Sequence, residues 1–320
     1  MDRKERLKRA LSFSSIEFEP TNADMYDEHG RVGLCGQRDK MFYRIESSKF
    51  NALIEDVTLN KDCSYITHVN SLLSSGYVPD RISALRKTIN ATHYKAIKKA
   101  EMLLYAEVMV SRLLAYFGCP TVYNEAVSYN TDERQPYYEM VSVDFLEYGQ
   151  EFTSFHDMDC MFDDELIENV RQIRYEMRCK RYDGYSLETK QKVVEDYVCS
   201  YLVRKHIIRD VDFGHNNCGV IEDPSTGRLQ YINFDFEYGF GSKMDRLRED
   251  LVYCSREFPG VLEKLYGKVC DYRNDFLDLV RDNEIELDNF FHRDIIEEMF
   301  YSIDSMYWTM MRMGCRRIDR

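Results

Sequence analysis

The clearest periodic pattern in the chain is an apolar stripe between Tyr94 and Phe117. Leucine, valine and alanine recur there every three or four residues, which is the spacing of one face of an α-helix. Gly118 and Pro120 follow at once and are typical of a helix end. The pattern therefore predicts a helix over about 94–117. Glu107 falls near its apolar stripe, so this carboxylate either has a basic partner or is half-exposed on the helix.

Shorter apolar runs predict strands on both sides of this helix. One run, at 40–45, follows a segment that contains three glycines, and two others, at 122–127 and 137–145, are joined by a polar turn. The segment 47–92 is polar and weakly periodic, and we expect an insertion of short helices and loops there. These elements predict a β-rich N-terminal lobe over 1–145, with one long helix and this insertion.

From about residue 163 the pattern is mostly helical, which predicts a helical C-terminal lobe over 146–320. One helix is expected to end near Ile208, and later helices are expected at 261–270, 276–281 and 295–313. A hairpin interrupts them: Val220-Ile221 and a second strand at 229–234 flank Asp223-Pro-Ser-Thr-Gly227, which is turn chemistry. The fold class predicted by this order of elements is α+β with two lobes.

Composition limits the classes of function. A chain of 320 residues with 44% hydrophobic residues, 6 Pro and 15 Gly is expected to fold with a sizeable core. The net charge of −13 argues against direct binding of nucleic acid, which needs a basic stripe. No apolar run reaches the length of a membrane span, so no membrane partner is expected.

The cysteines indicate a compartment. Ten cysteines are scattered, with no two closer than sixteen residues, so neither a CxxC zinc pair nor a dense disulfide framework is predicted. The first nine residues are charged and lack the apolar core of a signal peptide. Free thiols in a reducing compartment are the better account, and we expect a cytoplasmic protein.

The candidate chemistry lies around the predicted hairpin. Asp212 and Asn217 are five residues apart on an expected loop before it, and Asp235 follows its second strand. Kinases place a base and two metal ligands around ATP in this order. Because a hairpin brings its two ends together, it would bring Asn217 and Asp235 to the same metal ion.

The residues around this motif resemble the HipA-like kinases, bacterial relatives of the protein-kinase and phosphatidylinositol-kinase fold. The resemblance lies in the stretches 107–120 and 138–152 and in the Asp212–Asn217 loop with Asp235. It implies a two-lobed protein-kinase-like fold, ATP and Mg²⁺ as cofactors, and phosphoryl transfer to Ser or Thr of a protein. It further implies Asp212 as the catalytic base, Asn217 and Asp235 as metal ligands, and Glu107 as the helix glutamate that holds the ATP-binding lysine.

Two positions depart from the pattern of that family. The family has a histidine two residues after the base, where this chain has Gly214, with His215 one residue later. We expect His215 to contact phosphate or to brace the loop. The family also has a strand lysine where this chain has Phe42-Tyr43-Arg44. Arg44 or Lys40 is expected to take its place, with Arg44 as the first choice for the partner of Glu107.

Several functions remain open at this point. The main hypothesis is a serine/threonine protein kinase with a protein substrate, and an antitoxin-like regulatory protein is an open second partner. A phosphotransferase for small molecules would share the Asp212–Asn217 loop. A pseudokinase would keep the fold as a binding module, since arginine does not reproduce the compact charge of lysine. A helical interaction protein with chance motifs is the last alternative.

Overall fold

The structure is a computed structural model that describes residues 3–12, 15–17, 25–26, 40–60, 63–89, 94–128, 138–162, 165–210, 213–236, 246–282 and 290–315. Its helices are α1 (Arg3–Leu11), α2 (Asn51–Leu59), α3 (Asn70–Ser74), α4 (Tyr94–Phe117), α5 (Leu166–Glu176), α6 (Leu187–Tyr201), α7 (Leu247–Glu257), α8 (Pro259–Arg281) and α9 (Phe290–Arg312). Its strands are β1 (Ser15–Glu17), β2 (Met25–Tyr26), β3 (Lys40–Glu46), β4 (Arg81–Ile89), β5 (Asn124–Ser128), β6 (Tyr138–Val143), β7 (Glu151–Ser154), β8 (Cys218–Asp223) and β9 (Arg228–Asn233). A π-helical segment, Leu202–Ile208, continues α6.

The first sheet has six strands within the described ranges, in the order β1-β5-β6-β4-β3-β2. β1 runs parallel to β5, and the other neighbouring pairs are antiparallel. β4 is an inner strand between β6 and β3. In its register with β3, Lys87 lies opposite Lys40 and Ser83 lies opposite Arg44.

The segment 47–92 differs from the sequence prediction. α2 and α3 are short helices of the expected kind, but 81–89 forms β4, which lies inside the sheet. Its apolar residues do not alternate cleanly, and the adjacent basic residues Arg86 and Lys87 break a period of two. An inner strand has protein on both faces and needs no alternation, so its pattern is too weak to predict a strand.

α4 spans the range that its apolar stripe predicts. Leu104, Val108, Leu113 and Leu114 are buried along it. Gly118 ends the helix with a φ of +82°, and its N–H donates to the carbonyl of Ala115 at 3.1 Å. α4 contacts β5 and β6 on one side and α1 and α8 on the other. It therefore connects the six-stranded sheet to the helical part of the molecule.

The second sheet is antiparallel and consists of β7, β8 and β9 in that order. The Asp223 carboxylate closes the β8–β9 turn by accepting hydrogen bonds from the backbone N–H groups of Ser225 (3.0 Å) and Thr226 (3.2 Å). Gly227 completes the turn with a φ of +67°. The hairpin predicted from the sequence is therefore confirmed. Because Cys218 lies opposite Asn233, the residues just before β8 and just after β9 are neighbours.

Helices make up most of the remaining chain, and the fold class is α+β, as predicted. α8 runs without a break through the two helices expected at 261–270 and 276–281. The larger apolar core joins α1, α4, the later helices and the β7–β9 sheet, and a smaller core packs α2 and α3 against the six-stranded sheet. In the ranges that the structure describes, no helix combines the length and apolar character needed to cross a membrane.

Candidate active site

Lys87 lies between two carboxylates from distant parts of the chain. Its Nζ is 3.1 Å from Oε1 of Glu107 on α4 and 3.2 Å from Oδ1 of Asp235, which follows β9. The side chains of Lys87 and Glu107 are 7% and 0% exposed, and that of Asp235 is 32% exposed. Burial of an ammonium group is costly unless opposite charges compensate, and two carboxylates do so here. This Lys87 triad (Lys87, Glu107 and Asp235) joins the six-stranded sheet, α4 and the β8–β9 hairpin at one point.

Lys87, the basic partner of Glu107, thus lies on β4, and the structure corrects the prediction that Arg44 is this partner. Arg44 is on β3, four residues along the strand from the position opposite Lys87, which is roughly 13 Å at about 3.3 Å per residue. Its side chain is exposed, whereas Glu107 is fully buried. β3 is also one strand further than β4 from α4, which contacts β5 and β6. The side chain of Lys40 lies outside the described residues.

The backbone of Asp235 has an unusual conformation. Its φ is +57°, in the left-handed region that aspartate tolerates better than most residues. The next residue, Phe236, donates its N–H to Oε2 of Glu107 at 3.4 Å. The carbonyl of Asp235 accepts a hydrogen bond from Arg204 Nη2 at 3.1 Å. The backbone at Asp235 is therefore held from both sides, with its carboxylate beside Lys87.

Asn217 lies at the other end of the same hairpin. It is 6% exposed, and its N–H donates to the carbonyl of Gly214 at 3.1 Å. Its own carbonyl accepts from the N–H of Phe234 (3.1 Å) and from Arg204 Nη1 (3.2 Å). The hairpin thus brings the backbones of Asn217 and Asp235 to one end of the second sheet. The predicted metal site depends on this arrangement.

The donor types at this end of the hairpin suit magnesium. An amide oxygen and a carboxylate are hard ligands, and Mg²⁺ usually keeps several waters and binds substrate phosphates beside one or two carboxylates. Over the described part of the chain, no group of three or more His, Cys, Asp or Glu residues could hold a metal by itself. Asn217 and Asp235 supply two oxygen ligands of the kind that Mg²⁺ binds beside water and phosphate oxygens.

The predicted base, Asp212, falls in the pair 211–212 and lies outside the described residues. Asp210, two residues earlier, is its rival in the sequence. Asp210 is fully buried, and its Oδ2 accepts a hydrogen bond from Arg204 Nε at 2.7 Å. A carboxylate held in this way within the core cannot approach an acceptor hydroxyl, so Asp210 is an anchor of the loop.

His215 lies in the same loop and stacks on His156, with ring centroids 5.3 Å apart and an interplanar angle of 19°. Burial lowers the pKa of His215 below its ordinary value, and the adjacent His156 ring lowers it further. The imidazole is therefore mainly neutral at pH 7. Its Nδ1 is buried and has no hydrogen-bond partner among the residues that the structure describes.

An aromatic cluster lies where the chain passes from the first sheet to the second. Phe145 packs edge-on against Phe152 of β7, with centroids 5.3 Å apart, and lies nearly parallel to Phe234, 6.3 Å away. Gly219 of β8 makes room for it, because a Cβ there would lie 2.4 Å from the carbonyl oxygen of Thr153 and 2.7 Å from the Phe152 ring. The sequence did not predict this cluster or the roles of Lys87 and Arg204.

The comparisons with known proteins bear on the fold. No family model matches the chain, and no curated protein matches it. Among solved structures, the proinflammatory kinase CtkA of Helicobacter pylori is similar, with a TM-score of 0.53 and 11% sequence identity over 95% of this chain and 100% of that chain. At this identity the likeness concerns the fold alone. The chain therefore has a kinase-like α+β fold, with a β-rich sheet region and a helical C-terminal portion.

Proposed function

We propose that this protein is a kinase that uses ATP and Mg²⁺ to phosphorylate serine or threonine hydroxyls of a protein, in the manner of the HipA-like kinases. The observation that carries the proposal is the Lys87 triad. Protein kinases need a strand lysine paired with a helix glutamate, together with a metal-binding aspartate after the catalytic loop. Here a single lysine contacts a glutamate on α4 and the aspartate after β9.

In this proposal each member of the triad has a different task. Lys87 binds the phosphates of ATP, in the place for which the sequence suggested Arg44 or Lys40. Glu107 orients Lys87 from α4 and keeps its ammonium group beside Asp235. Asp235 and Asn217 hold Mg²⁺, which when bound neutralises charge that develops on the transferring phosphoryl group.

The remaining groups contact the acceptor hydroxyl, the phosphates and the adenine of ATP. Asp212 orients the acceptor hydroxyl and takes its proton as the hydroxyl oxygen bonds to the γ-phosphorus and ADP leaves. His215 contacts phosphate or braces the loop. Phe145, Phe152 and Phe234 provide an apolar aromatic surface next to Asp235, which suits the planar face of adenine.

The test is incubation of the full chain with γ-labelled ATP and Mg²⁺, in the presence of a protein extract and of a mixture of small hydroxyl compounds. We expect the label in serine and threonine of protein.

Asp212→Ala should lower the rate by about 10²–10⁴-fold while leaving the affinity for Mg²⁺-ATP nearly unchanged. Asp235→Ala should weaken Mg²⁺-ATP binding itself in a thermal-shift titration. Asp278→Ala, on the exposed side of α8, is the control and should change neither.

The alternative functions give different results in the same assay. Label that appears only in small compounds would point to a small-molecule phosphotransferase. Binding of Mg²⁺-ATP without any transfer would point to a pseudokinase. If the wild-type chain shows neither binding nor transfer, the kinase proposal is wrong.

A further inference from the structure

Arg204 is a fully buried cation in the π-helical segment that precedes the Asp210–Asn217 loop. Its guanidinium donates through Nε to Asp210 Oδ2 (2.7 Å) and through Nη1 to the carbonyl of Asn217 (3.2 Å). Its Nη2 donates to the carbonyl of Asp235 at 3.1 Å. One side chain thus binds both ends of the β8–β9 hairpin and the loop that leads to Asp212.

Two aromatic rings enclose the same guanidinium. Its Cζ is 4.3 Å from the ring centroid of Phe213 and 4.8 Å from that of Phe236. These two residues directly follow Asp212 and Asp235 in the chain. Stacking on aromatic faces favours the flat, weakly hydrated guanidinium over an ammonium group. The contacts therefore fix the residues that follow each of the two proposed functional aspartates.

A buried cation in a core needs only enough partners to offset its desolvation. Arg112 has the same kinds of partner: it is 5% exposed, binds Glu125, and donates to the carbonyls of Arg9 (3.2 Å) and Ser12 (3.1 Å), both at the end of α1. The hydrogen bonds of Arg204 instead converge on two segments of the proposed site. One of them is Asp235, whose left-handed backbone is a conformation that persists only when its surroundings enforce it.

We propose that Arg204 is a positioning residue, which holds the Asp210–Asn217 loop and the Asp235 backbone at a set distance so that Asn217 and Asp235 can bind one cation. Arg204 touches neither nucleotide nor metal in this account, because its contacts with the two ligands are to their backbone carbonyls. The expected effect on Mg²⁺ binding rests on the proposed function. The coupling of the two segments by Arg204 does not depend on that function.

The experiment compares Arg204→Lys and Arg204→Met with the matched variants Arg112→Lys and Arg112→Met in the full chain. Lysine keeps the charge and can still pair with Asp210, but it cannot form the planar fork that reaches two carbonyls at once. Hydrogen–deuterium exchange of segments 213–218 and 233–236 measures the coupling. A titration of Mg²⁺ at fixed ATP, followed by thermal shift, measures the consequence, and ATP binding in EDTA is the reference.

For Arg204→Lys we expect faster exchange confined to these two segments. The apparent affinity for Mg²⁺ should fall about 10- to 100-fold, the range found when groups that orient metal ligands are removed, with ATP binding in EDTA nearly unchanged. Arg112→Lys should lower the melting temperature while leaving both readouts as in the wild type.

Two results would overturn the proposal. In the first, Arg204→Lys and Arg112→Lys raise exchange to the same extent throughout the chain, which is what a purely structural role predicts. In the second, Arg204→Lys speeds exchange in the two segments, yet its apparent affinity for Mg²⁺ equals that of the wild type. If the wild-type chain binds no Mg²⁺-ATP at all, the proposed function fails, and the exchange data alone still decide whether Arg204 couples the two segments.

Discussion

Arg86 and Lys87 are neighbours on β4, and they form ion pairs on opposite faces of the six-stranded sheet, because successive side chains of a strand alternate. Arg86 donates to both carboxylate oxygens of Glu139 on β6, through Nε at 2.6 Å and through Nη2, and donates to the Tyr43 hydroxyl at 3.0 Å. Lys87 contacts Glu107 on α4 and Asp235 of the hairpin. Arg86 thus links β4 to β6 and β3 within one sheet, whereas Lys87 links that sheet to α4 and to the β8–β9 hairpin.

The chemistry of the two cations fits this difference. The guanidinium of Arg86 meets the Glu139 carboxylate in a bidentate geometry, and its Cζ lies 5.5 Å from the centroid of the Tyr43 ring. The lysine ammonium is a compact charge that two carboxylates and a phosphate can share. Neighbouring basic residues in one strand can therefore have unrelated roles. Arg86 forms a structural ion pair and Lys87 belongs to the candidate site because their side chains lie on opposite faces of the sheet.

The largest expected effect is on phosphoryl transfer. Lys87→Met should lower kcat/KM by about 10²–10³-fold, the loss typical of removing one group that stabilises charge in the transition state. Arg86→Met, its neighbour on the other face, should change kcat/KM only a few-fold. Steady-state kinetics with saturating Mg²⁺ provide the comparison. Equal losses in the two variants would show that the faces of β4 do not differ in function.

The second effect is on stability and concerns the burial of Glu107. Lys87→Met leaves a fully buried carboxylate without its lysine, which should lower the free energy of unfolding by about 3–5 kcal/mol. Adding Glu107→Gln to Lys87→Met removes that charge and should restore much of the loss. Urea unfolding of the wild type, both single variants and the double variant completes a thermodynamic cycle. Additive single effects would mean that Lys87 and Glu107 do not interact in solution.

The smallest effect is on the other face of β4. Arg86→Lys keeps the charge but loses the bidentate contact with Glu139, so it should cost about 1.5–3 kcal/mol of stability, the range of one hydrogen bond to a charged group. Phosphoryl transfer should stay at the wild-type level once the protein is folded. Urea midpoints and initial rates measured on the same preparation separate the two quantities. A loss of activity larger than the loss of folded protein would assign Arg86 to the site as well.

The elements that local sequence specifies were predictable. The apolar stripe and the Gly118 terminus predict α4 with its observed bounds, since helical periodicity and a left-handed glycine are properties of neighbouring residues. The turn at 223–227 likewise predicts the β8–β9 hairpin. These two predictions place Glu107 on a helix, and they place Asn217 and Asp235 at one end of a hairpin.

The partners of those residues were not predictable in the same way. β4 has no clean alternation, and the choice between Lys87 and Arg44 depends on which strand lies next to β6, which is a property of sheet order. The hydrogen-bond partners of Arg204 are separated from it by up to 31 residues and meet only in the folded core. No spacing rule relates them, because each contact depends on how α6 packs against the hairpin.

By itself, the sequence determined the α+β class, the central helix, the hairpin and the order of the candidate acidic residues, because each depends on interactions between residues close in the chain. Only the tertiary structure decided that Lys87 pairs with Glu107, that Asp210 is an anchor bound to Arg204, and that Phe145, Phe152 and Phe234 form one cluster. Long-range contacts of this kind depend on how whole elements pack. Because burying an unpaired charge is costly, the fold pairs Glu107 with a lysine that packing brings close, and the sequence alone did not distinguish that lysine from Arg44.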